Sequence, residues 1–358
     1  ALGDHALDFI RRARQTRERP WFLYLAFNAP HFPLHAYPKD VEKYAGRYHA
    51  GWDSLRGERL ARMKKMSLVA PNTKLPPRSP WWNYGETESG DNPAWDVLPA
   101  ERRADLARRM AIYAAMVEQM DRNVGRIVND LKQADELENT FILFTSDNGA
   151  CAEWDPRGFD GKSSNHNVLH RGPDLAKMGL AGTFHSVGSG WANAANTPWR
   201  LYKHFNHEGG IASPGIIHWP EGMPAERKNA IERQPAHLID VLPTFAELAG
   251  VDSSYVQASP GRSLLPLLRG GDAPVRSLFF EHEGHRALRR GKWKLAALAG
   301  GPWELYDLSK DETELNDLAA ERPSLLRKLS KEWETWAARN HVTPMPRDYG
   351  VGYLKPRP

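Results

Sequence analysis

The 358-residue chain lacks the features that mark several classes of protein. Its single cysteine, Cys151, excludes an internal disulfide and any zinc site built on several cysteines. No apolar run approaches the roughly 20 residues that a membrane-spanning helix needs, so we predict no membrane segment. Lys and Arg are scattered and the net charge is only +4, so nothing in the sequence points to nucleic acid as a partner.

The composition is otherwise that of a globular protein, with 41% apolar and 26% charged residues. It includes 13 Trp and 27 Pro, which predict long, structured loops lined with aromatic side chains. The length suits one large domain and a smaller one. A soluble chain of this kind is compatible with either the bacterial periplasm or the cytoplasm.

The fold prediction centres on residues 140–149, TFILFTSDNG. This apolar run predicts a strand that is buried on both faces of a parallel sheet. Because pockets in open α/β sheets lie beyond the carboxyl ends of the strands, Asp147 and Asn148 are placed where chemistry would occur. Their oxygens suit a hard cation such as Ca²⁺ or Mg²⁺. The alternative is an Asx turn that merely closes the strand.

A second apolar stretch, residues 21–27, predicts another buried strand and leads into a loop that contains His31. Pro30 and Pro33 exclude a helix there and hold the imidazole at a strand's carboxyl end. A lone loop histidine is usually a surface residue, but His31 repeats the arrangement of Asp147. Two roles stay open for Cys151, a catalytic thiol or, more commonly, a small packing residue.

Periodic patterns define the remaining elements. Apolar residues three and four apart predict a helix over residues 99–132, and short strands from residue 277 onwards precede an amphipathic helix over 323–339. We predict the α/β class, with a mixed, mostly parallel sheet flanked by helices over residues 1–271. A smaller antiparallel α+β lobe is predicted over residues 272–358.

Four segments together resemble the type I sulfatases, relatives of alkaline phosphatase, and especially their bacterial arylsulfatase branch. In chain order these are APHFP at 29–33, FTSDNG at 144–149, Lys203 followed by EGG at 208–210, and WELYDL at 303–308. The resemblance runs in order over nearly the whole chain. It implies an alkaline-phosphatase-like fold and the hydrolysis of a small-molecule or glycan sulfate ester.

The resemblance also implies roles for four residues. Asp147 and Asn148 would be two ligands of a catalytic Ca²⁺, while His31 and Lys203 would contact the sulfate and its leaving-group oxygen. Negative charge grows on that oxygen as the alcohol departs, and a cation, an ammonium and an imidazole would stabilise it. We therefore expect these four side chains to converge at one edge of the sheet.

One family feature is absent from the sequence. The 358 residues contain no Cys/Ser-x-Pro-x-Arg motif, from which type I sulfatases form their formylglycine nucleophile, and Cys151 is followed by AEWD. Two further metal-binding aspartates of the family would also lie nearer its N-terminus. We therefore expect a C-terminal portion of a sulfatase, inactive alone, whose partner is the missing N-terminal portion of the same enzyme.

Two other functions stay open. A phosphodiesterase or phosphonate hydrolase of the same superfamily would share the metal residues, and a non-catalytic binding protein could keep a degenerate sulfatase fold. The likeness of GWAN at 190–193 and NTP at 196–198 to bacterial arylsulfatases favours sulfate. An upstream segment that carries the nucleophile motif would support the sulfatase, whereas a genuine start codon at this N-terminus would support the binding protein.

Overall fold

The computed structural model describes residues 1–16, 19–82, 89–152, 157–161 and 167–343. Its α-helices are α1 (Leu2–Ala13), α2 (Pro38–Val41), α3 (Gly51–Lys65), α4 (Ala100–Gln133), α5 (Ser189–Ala195), α6 (Glu208–Ile211), α7 (Val241–Leu248), α8 (Leu265–Leu268) and α9 (Pro323–Arg339). Its strands are β1 (Pro80–Trp82), β2 (Ser89–Asp91), β3 (Ile142–Thr145), β4 (Gly215–His218), β5 (Ser277–His282), β6 (His285–Arg290), β7 (Trp293–Ala297) and β8 (Glu304–Asp307). Among the described helices, none has the length and apolar character that crossing a membrane requires.

The core of the larger lobe forms around α4, which confirms the helix predicted over residues 99–132. Leu106 and Ile112 on this helix are fully buried. Three indole rings pack beside them, with Trp191 lying 5.6 Å from Trp52 and 5.3 Å from Trp95 between ring centroids. The Trp191 indole also donates a hydrogen bond to the Leu106 carbonyl oxygen at 2.9 Å. Part of the unusual tryptophan content therefore belongs to a packed core.

The predicted strand that ends at Asp147 is present, but its surroundings differ from the prediction. Among the described residues, β3 pairs only with β4, and the pairing is antiparallel. Ile142, Leu143 and Phe144 are half-buried and Thr145 is exposed, so the strand is not buried on both faces. A strand is buried on both faces only if it has neighbouring strands and helices cover the sheet. Within the described ranges β3 has one neighbouring strand, β4, and is therefore only partly covered.

Residues 21–27 are extended but pair with no strand in the described part of the chain, so the second predicted strand is wrong as a sheet element. Alternate side chains face solvent, with Phe22 61% and Tyr24 81% exposed. The alternation of exposed and half-buried side chains fits an extended segment. However, the described residues include no hydrogen-bonded neighbour that would make this segment a strand.

The C-terminal part forms the predicted antiparallel sheet with one covering helix. Its strands lie in the order β5-β6-β7-β8, and all neighbours are antiparallel. Leu288, Leu295 and Leu305 on the sheet pack against Leu329 and Trp333 of α9 in one buried cluster. The division of the chain at residues 271 and 272 stays a prediction.

We predict that Trp191→Ala lowers the free energy of unfolding by about 3–5 kcal/mol, because it leaves a cavity among the indole rings and removes the bond to the Leu106 carbonyl. Chemical denaturation followed by circular dichroism measures the change. Trp191→Phe, which keeps an aromatic ring, should lose less. Equal stability of Trp191→Ala and the wild type would show that the indole cluster does not support the core.

Candidate active site

His31 lies on the proline-flanked loop as predicted, and its side chain is exposed. The His31 backbone N–H donates to the Asn28 carbonyl at 3.0 Å, and the buried Leu34 anchors the loop by donating to the His185 carbonyl at 2.9 Å. The Nδ1 atom of His31 lies 2.8 Å from the Phe32 carbonyl oxygen. Because a carbonyl can only accept, Nδ1 carries the hydrogen, and in the neutral ring Nε2 carries the lone pair.

Lys203 reaches this lone pair from a distant part of the chain. Its Nζ atom lies 3.0 Å from His31 Nε2, and its backbone N–H donates to the Ala150 carbonyl at 3.0 Å. The backbone around it is unusual, since Leu201 and His204 have φ values of +67° and +84°. Positive φ in side-chain-bearing residues costs energy and clusters at functional sites. The structure thus brings together two residues that the resemblance singled out.

Cys151 is the third member of this group, although the sequence favoured a packing role for it. Its Sγ atom lies 3.6 Å from His31 Nε2 and 3.7 Å from Lys203 Nζ, and the side chain is half-buried. The one indication in the sequence was its position two residues after Gly149. The sulfur atom therefore lies close to both the ammonium and the imidazole.

Asp147 and Asn148 lie at the end of β3, a few residues before Cys151, with the Asp147 side chain exposed. The Gly149 N–H donates to the Gly210 carbonyl at 2.9 Å, so it does not close an Asx turn on Asp147. Within the described ranges no side chain pairs with the Asp147 carboxylate. The oxygens of these two residues suit Ca²⁺, but the ion takes about six to eight oxygens, so further ligands are needed.

Asn196 fixes the backbone near Cys151 and Lys203. Its Oδ1 atom accepts from the Ala150 N–H at 2.8 Å, while its Nδ2 atom donates to the carbonyls of Leu201 at 3.2 Å and Gly209 at 2.6 Å. The chain segments approach so closely that a Cβ atom at Gly149 would lie 1.8 Å from the Gly209 carbonyl oxygen. One amide and a glycine therefore hold the end of β3 against the Lys203 segment.

A buried ion network ties the same segment to the C-terminal sheet. Lys294 on β7 is fully buried, and its Nζ atom lies 2.5 Å from Glu208 Oε1 and 3.2 Å from Glu314 Oε1. Glu314 Oε2 also accepts from the Glu208 N–H at 2.8 Å. Burial would raise the pKa of Glu208, but Lys294 and Arg289 outweigh it and hold that pKa below its usual value. Both carboxylates thus face one buried ammonium.

Glu304 forms a second link between the two lobes. Its Oε2 atom accepts from His207 Nε2 at 2.7 Å, from Arg200 Nη1 at 3.1 Å and from the Tyr306 hydroxyl at 2.8 Å. Although burial opposes ionisation, the hydrogen bond from His207 and the charge of Arg200 lower the pKa of Glu304 to about 2. The carboxylate is therefore charged at all ordinary pH values.

A cluster of Asp160, His170 and His185 lies behind the His31 loop and has the residue types of a metal site. However, the buried Arg109 guanidinium donates to both Asp160 oxygens, at 2.9 and 2.7 Å. Burial opposes ionisation of Asp160, but the hydrogen bond from His185 and the charge of Arg109 hold its pKa well below the usual value. Since the Arg109 guanidinium, which also pairs with Asp105, already binds both Asp160 oxygens, we assign this cluster a structural role.

Comparison with known families decides the relationship. Residues 1–251 match the family described as Sulfatase, and residues 198–337 match the family described as N-sulphoglucosamine sulphohydrolase, C-terminal. The chain belongs to the sulfatase family. An uncharacterized sulfatase of Schizosaccharomyces pombe is 34% identical over 96% of this chain and 62% of its own length. An arylsulfatase of Klebsiella aerogenes is 31% identical over 70% of this chain and 50% of its own length.

The sulfatase chain therefore spans between half and two thirds of the length of these relatives. Two solved structures share its fold. Ps i-CgsB aligns with a TM-score of 0.58 at 22% identity, over 99% of this chain and 61% of its own. BT4656 aligns with a TM-score of 0.54 at 18% identity, over 98% and 70%. The predicted family and the predicted α/β class with a C-terminal antiparallel sheet are confirmed.

We predict that Lys294→Met lowers the free energy of unfolding by about 3–5 kcal/mol, because the Glu208 and Glu314 carboxylates are left buried without their cation. Chemical denaturation at neutral pH measures this. The matched control is Lys310→Met, whose side chain is exposed and should stay within about 0.5 kcal/mol of the wild type. A Lys294→Met protein as stable as the control would contradict the importance of the network.

Proposed function

We propose that this chain carries the leaving-group side of the active site of a sulfatase that hydrolyses sulfate monoesters. The observation that carries the proposal is the 3.0 Å contact between His31 Nε2 and Lys203 Nζ, beside the exposed end of β3. A cationic donor and an imidazole meet there at a surface that solvent reaches. That pair suits an ester whose departing oxygen gains negative charge.

The two side chains have complementary tasks. On binding, the Lys203 ammonium would exchange its contact with His31 for one with an ester oxygen and stabilise the charge there. His31, with Nδ1–H held by the Phe32 carbonyl, directs Nε2 at the same place and in its protonated form would donate a proton to the leaving oxygen. The hydrogen bonds from Asn196 fix the backbone near Lys203. The Lys203 ammonium is therefore already within reach of His31 before substrate binds.

The metal that the family implies would be held in part by Asp147 and Asn148. Their carboxylate and amide oxygens are the ligand types that Ca²⁺ prefers, and the Asp147 carboxylate is exposed at the strand end. A bound Ca²⁺ supplies positive charge that offsets the charge of the sulfate group. The ligands that complete its shell would come from outside these 358 residues.

We further propose that the nucleophile lies in a segment outside this sequence. The formylglycine motif is absent from the 358 residues, and the relatives are longer. The exposed aromatic side chains of Phe22 and Tyr24, and Ile216 on β4, which is 61% exposed, are apolar surface that such a segment would cover. Its strands would pair with residues 21–27 and with the edge of β3 that has no partner strand in the described part of the chain.

The substrate class we propose is a small-molecule or glycan sulfate ester. The Klebsiella aerogenes relative is an arylsulfatase, which makes an aryl sulfate the first compound to test. BT4656 was solved with its substrate D-glucosamine-2-N,6-O-disulfate, an example of a glycan sulfate for the same fold.

The test compares the 358-residue chain with a longer form that includes an upstream Cys/Ser-x-Pro-x-Arg segment, made in a host that forms formylglycine. We expect only the longer form to hydrolyse an aryl sulfate, because the 358 residues lack the formylglycine motif. Lys203→Ala should lower kcat/KM of the longer form by about 10²- to 10⁴-fold. Lys228→Ala, at an exposed position, is the matched control and should leave kcat/KM unchanged.

Three outcomes would contradict the proposal. Equal turnover by the 358-residue chain, lost in Cys151→Ala, would make Cys151 the nucleophile. Preferential turnover of a phosphate diester or phosphonate by the longer form would assign the other reaction of the superfamily. No turnover of any of these esters, with a folded protein and formylglycine present, would indicate a binding protein.

A further inference from the structure

We propose that His204, His282 and Glu283 form a site for a divalent transition-metal ion of the Zn²⁺ type, distinct from Asp147 and Asn148. One ligand atom from each of the three residues lies within 4.8 Å of the other two. The set of two imidazoles and one carboxylate is the donor set that zinc accepts when it keeps a fourth position open.

The distances between the donor atoms match such a site. His204 Nδ1 lies 3.0 Å from Glu283 Oε2 and 3.3 Å from His282 Nε2, and His282 Nε2 lies 3.8 Å from Glu283 Oε1. Zinc bonds to nitrogen and oxygen of about 2.0–2.2 Å place tetrahedral ligands about 3.3 Å apart. The two distances from His204 Nδ1 are close to this value, while the 3.8 Å distance from His282 runs to the other carboxylate oxygen, so either oxygen of Glu283 is placed to be the third ligand.

One ring nitrogen of His204 faces two other ligand atoms at once. Glu283 can only accept, and His204 Nδ1 faces both Glu283 Oε2 and His282 Nε2. An ion between the three atoms would satisfy all of them at once.

The hairpin that joins β5 to β6 presents two of the ligands rigidly. Glu283 and Gly284 have φ values of +54° and +84°, as a two-residue hairpin turn of type I′ requires. The Gly284 N–H also donates to Glu281 Oε1 at 2.9 Å, which fixes the turn. His282 is about half exposed, with 48% of its side chain accessible, so an ion can enter from solvent.

The metal would connect the C-terminal hairpin to the residue that follows Lys203. His204 is 9% exposed and has a strained positive φ, so a bond from its Nδ1 atom to a metal would hold this part of the backbone in place. The cluster at Asp160 does not offer an alternative, because Arg109 neutralises its carboxylate. Water would fill the fourth position of the proposed ion, whose role would be to join these two segments of the chain.

The test is calorimetric titration of the chelator-treated chain with ZnCl₂ and, for geometry, with CoCl₂. We expect one site per chain, a tetrahedral Co²⁺ spectrum, and a thermal midpoint that rises with Zn²⁺. His282→Ala and Glu283→Gln should each weaken binding at least about tenfold, because each removes a ligand. Excess Ca²⁺ should not displace Zn²⁺.

Two controls separate this site from others on the chain. His5→Ala, at an exposed histidine on α1, and Asp147→Asn should bind Zn²⁺ like the wild type. The proposal is wrong if the wild type shows no saturable binding. It is also wrong if His282→Ala and Glu283→Gln keep full affinity while Asp147→Asn or Asp160→Asn loses it. These readouts do not depend on sulfatase activity, so they stand apart from the proposed reaction.

Discussion

The arrangement of the site depends on one buried ammonium, that of Lys294, between the carboxylates of Glu208 and Glu314. Removing three charged groups from water costs free energy. A buried ion network is therefore tolerated only where its members are close together and well oriented. Here Glu208 begins α6, five residues after Lys203, while Lys294 belongs to the C-terminal sheet. The smaller lobe is thus part of the support of the candidate site, since it holds the segment that carries Lys203.

This support matters because the Lys203 segment is strained. Leu201 and His204 both have positive φ, which costs on the order of 1–3 kcal/mol for each residue and persists only where the surroundings fix it. The Asn196 amide holds the Lys203 segment to the end of β3 through three backbone hydrogen bonds. The ion network of Lys294 holds the same segment to the C-terminal sheet. A relaxed backbone would move the Lys203 ammonium away from His31. The two lobes are therefore coupled through the geometry of a single loop.

Sequence patterns predicted the elements that follow from local periodicity and turn chemistry. The long helix α4, the four C-terminal strands and α9 were all predictable. The family resemblance singled out His31 and Lys203, which the structure brings into contact, while their roles stay a prediction. The sheet pairing of residues 21–27 was not predictable, because an apolar extended segment becomes a strand only if another strand lies beside it. The contact of Cys151 with His31 and the partners of Lys294 were also hidden, since each joins residues far apart in the chain.

The central claim is that His31 and Lys203 act on the departing oxygen. It is tested most directly by the dependence of kcat/KM on the pKa of the phenol released, measured for a series of aryl sulfates with the longer form of the enzyme. We predict a steeper dependence in His31→Ala and Lys203→Ala than in the wild type, with the greatest losses for the phenols of highest pKa. A loss of the same size for every phenol would contradict the claim, because it would show that the stabilisation lost from kcat/KM does not depend on the charge that develops on the departing oxygen.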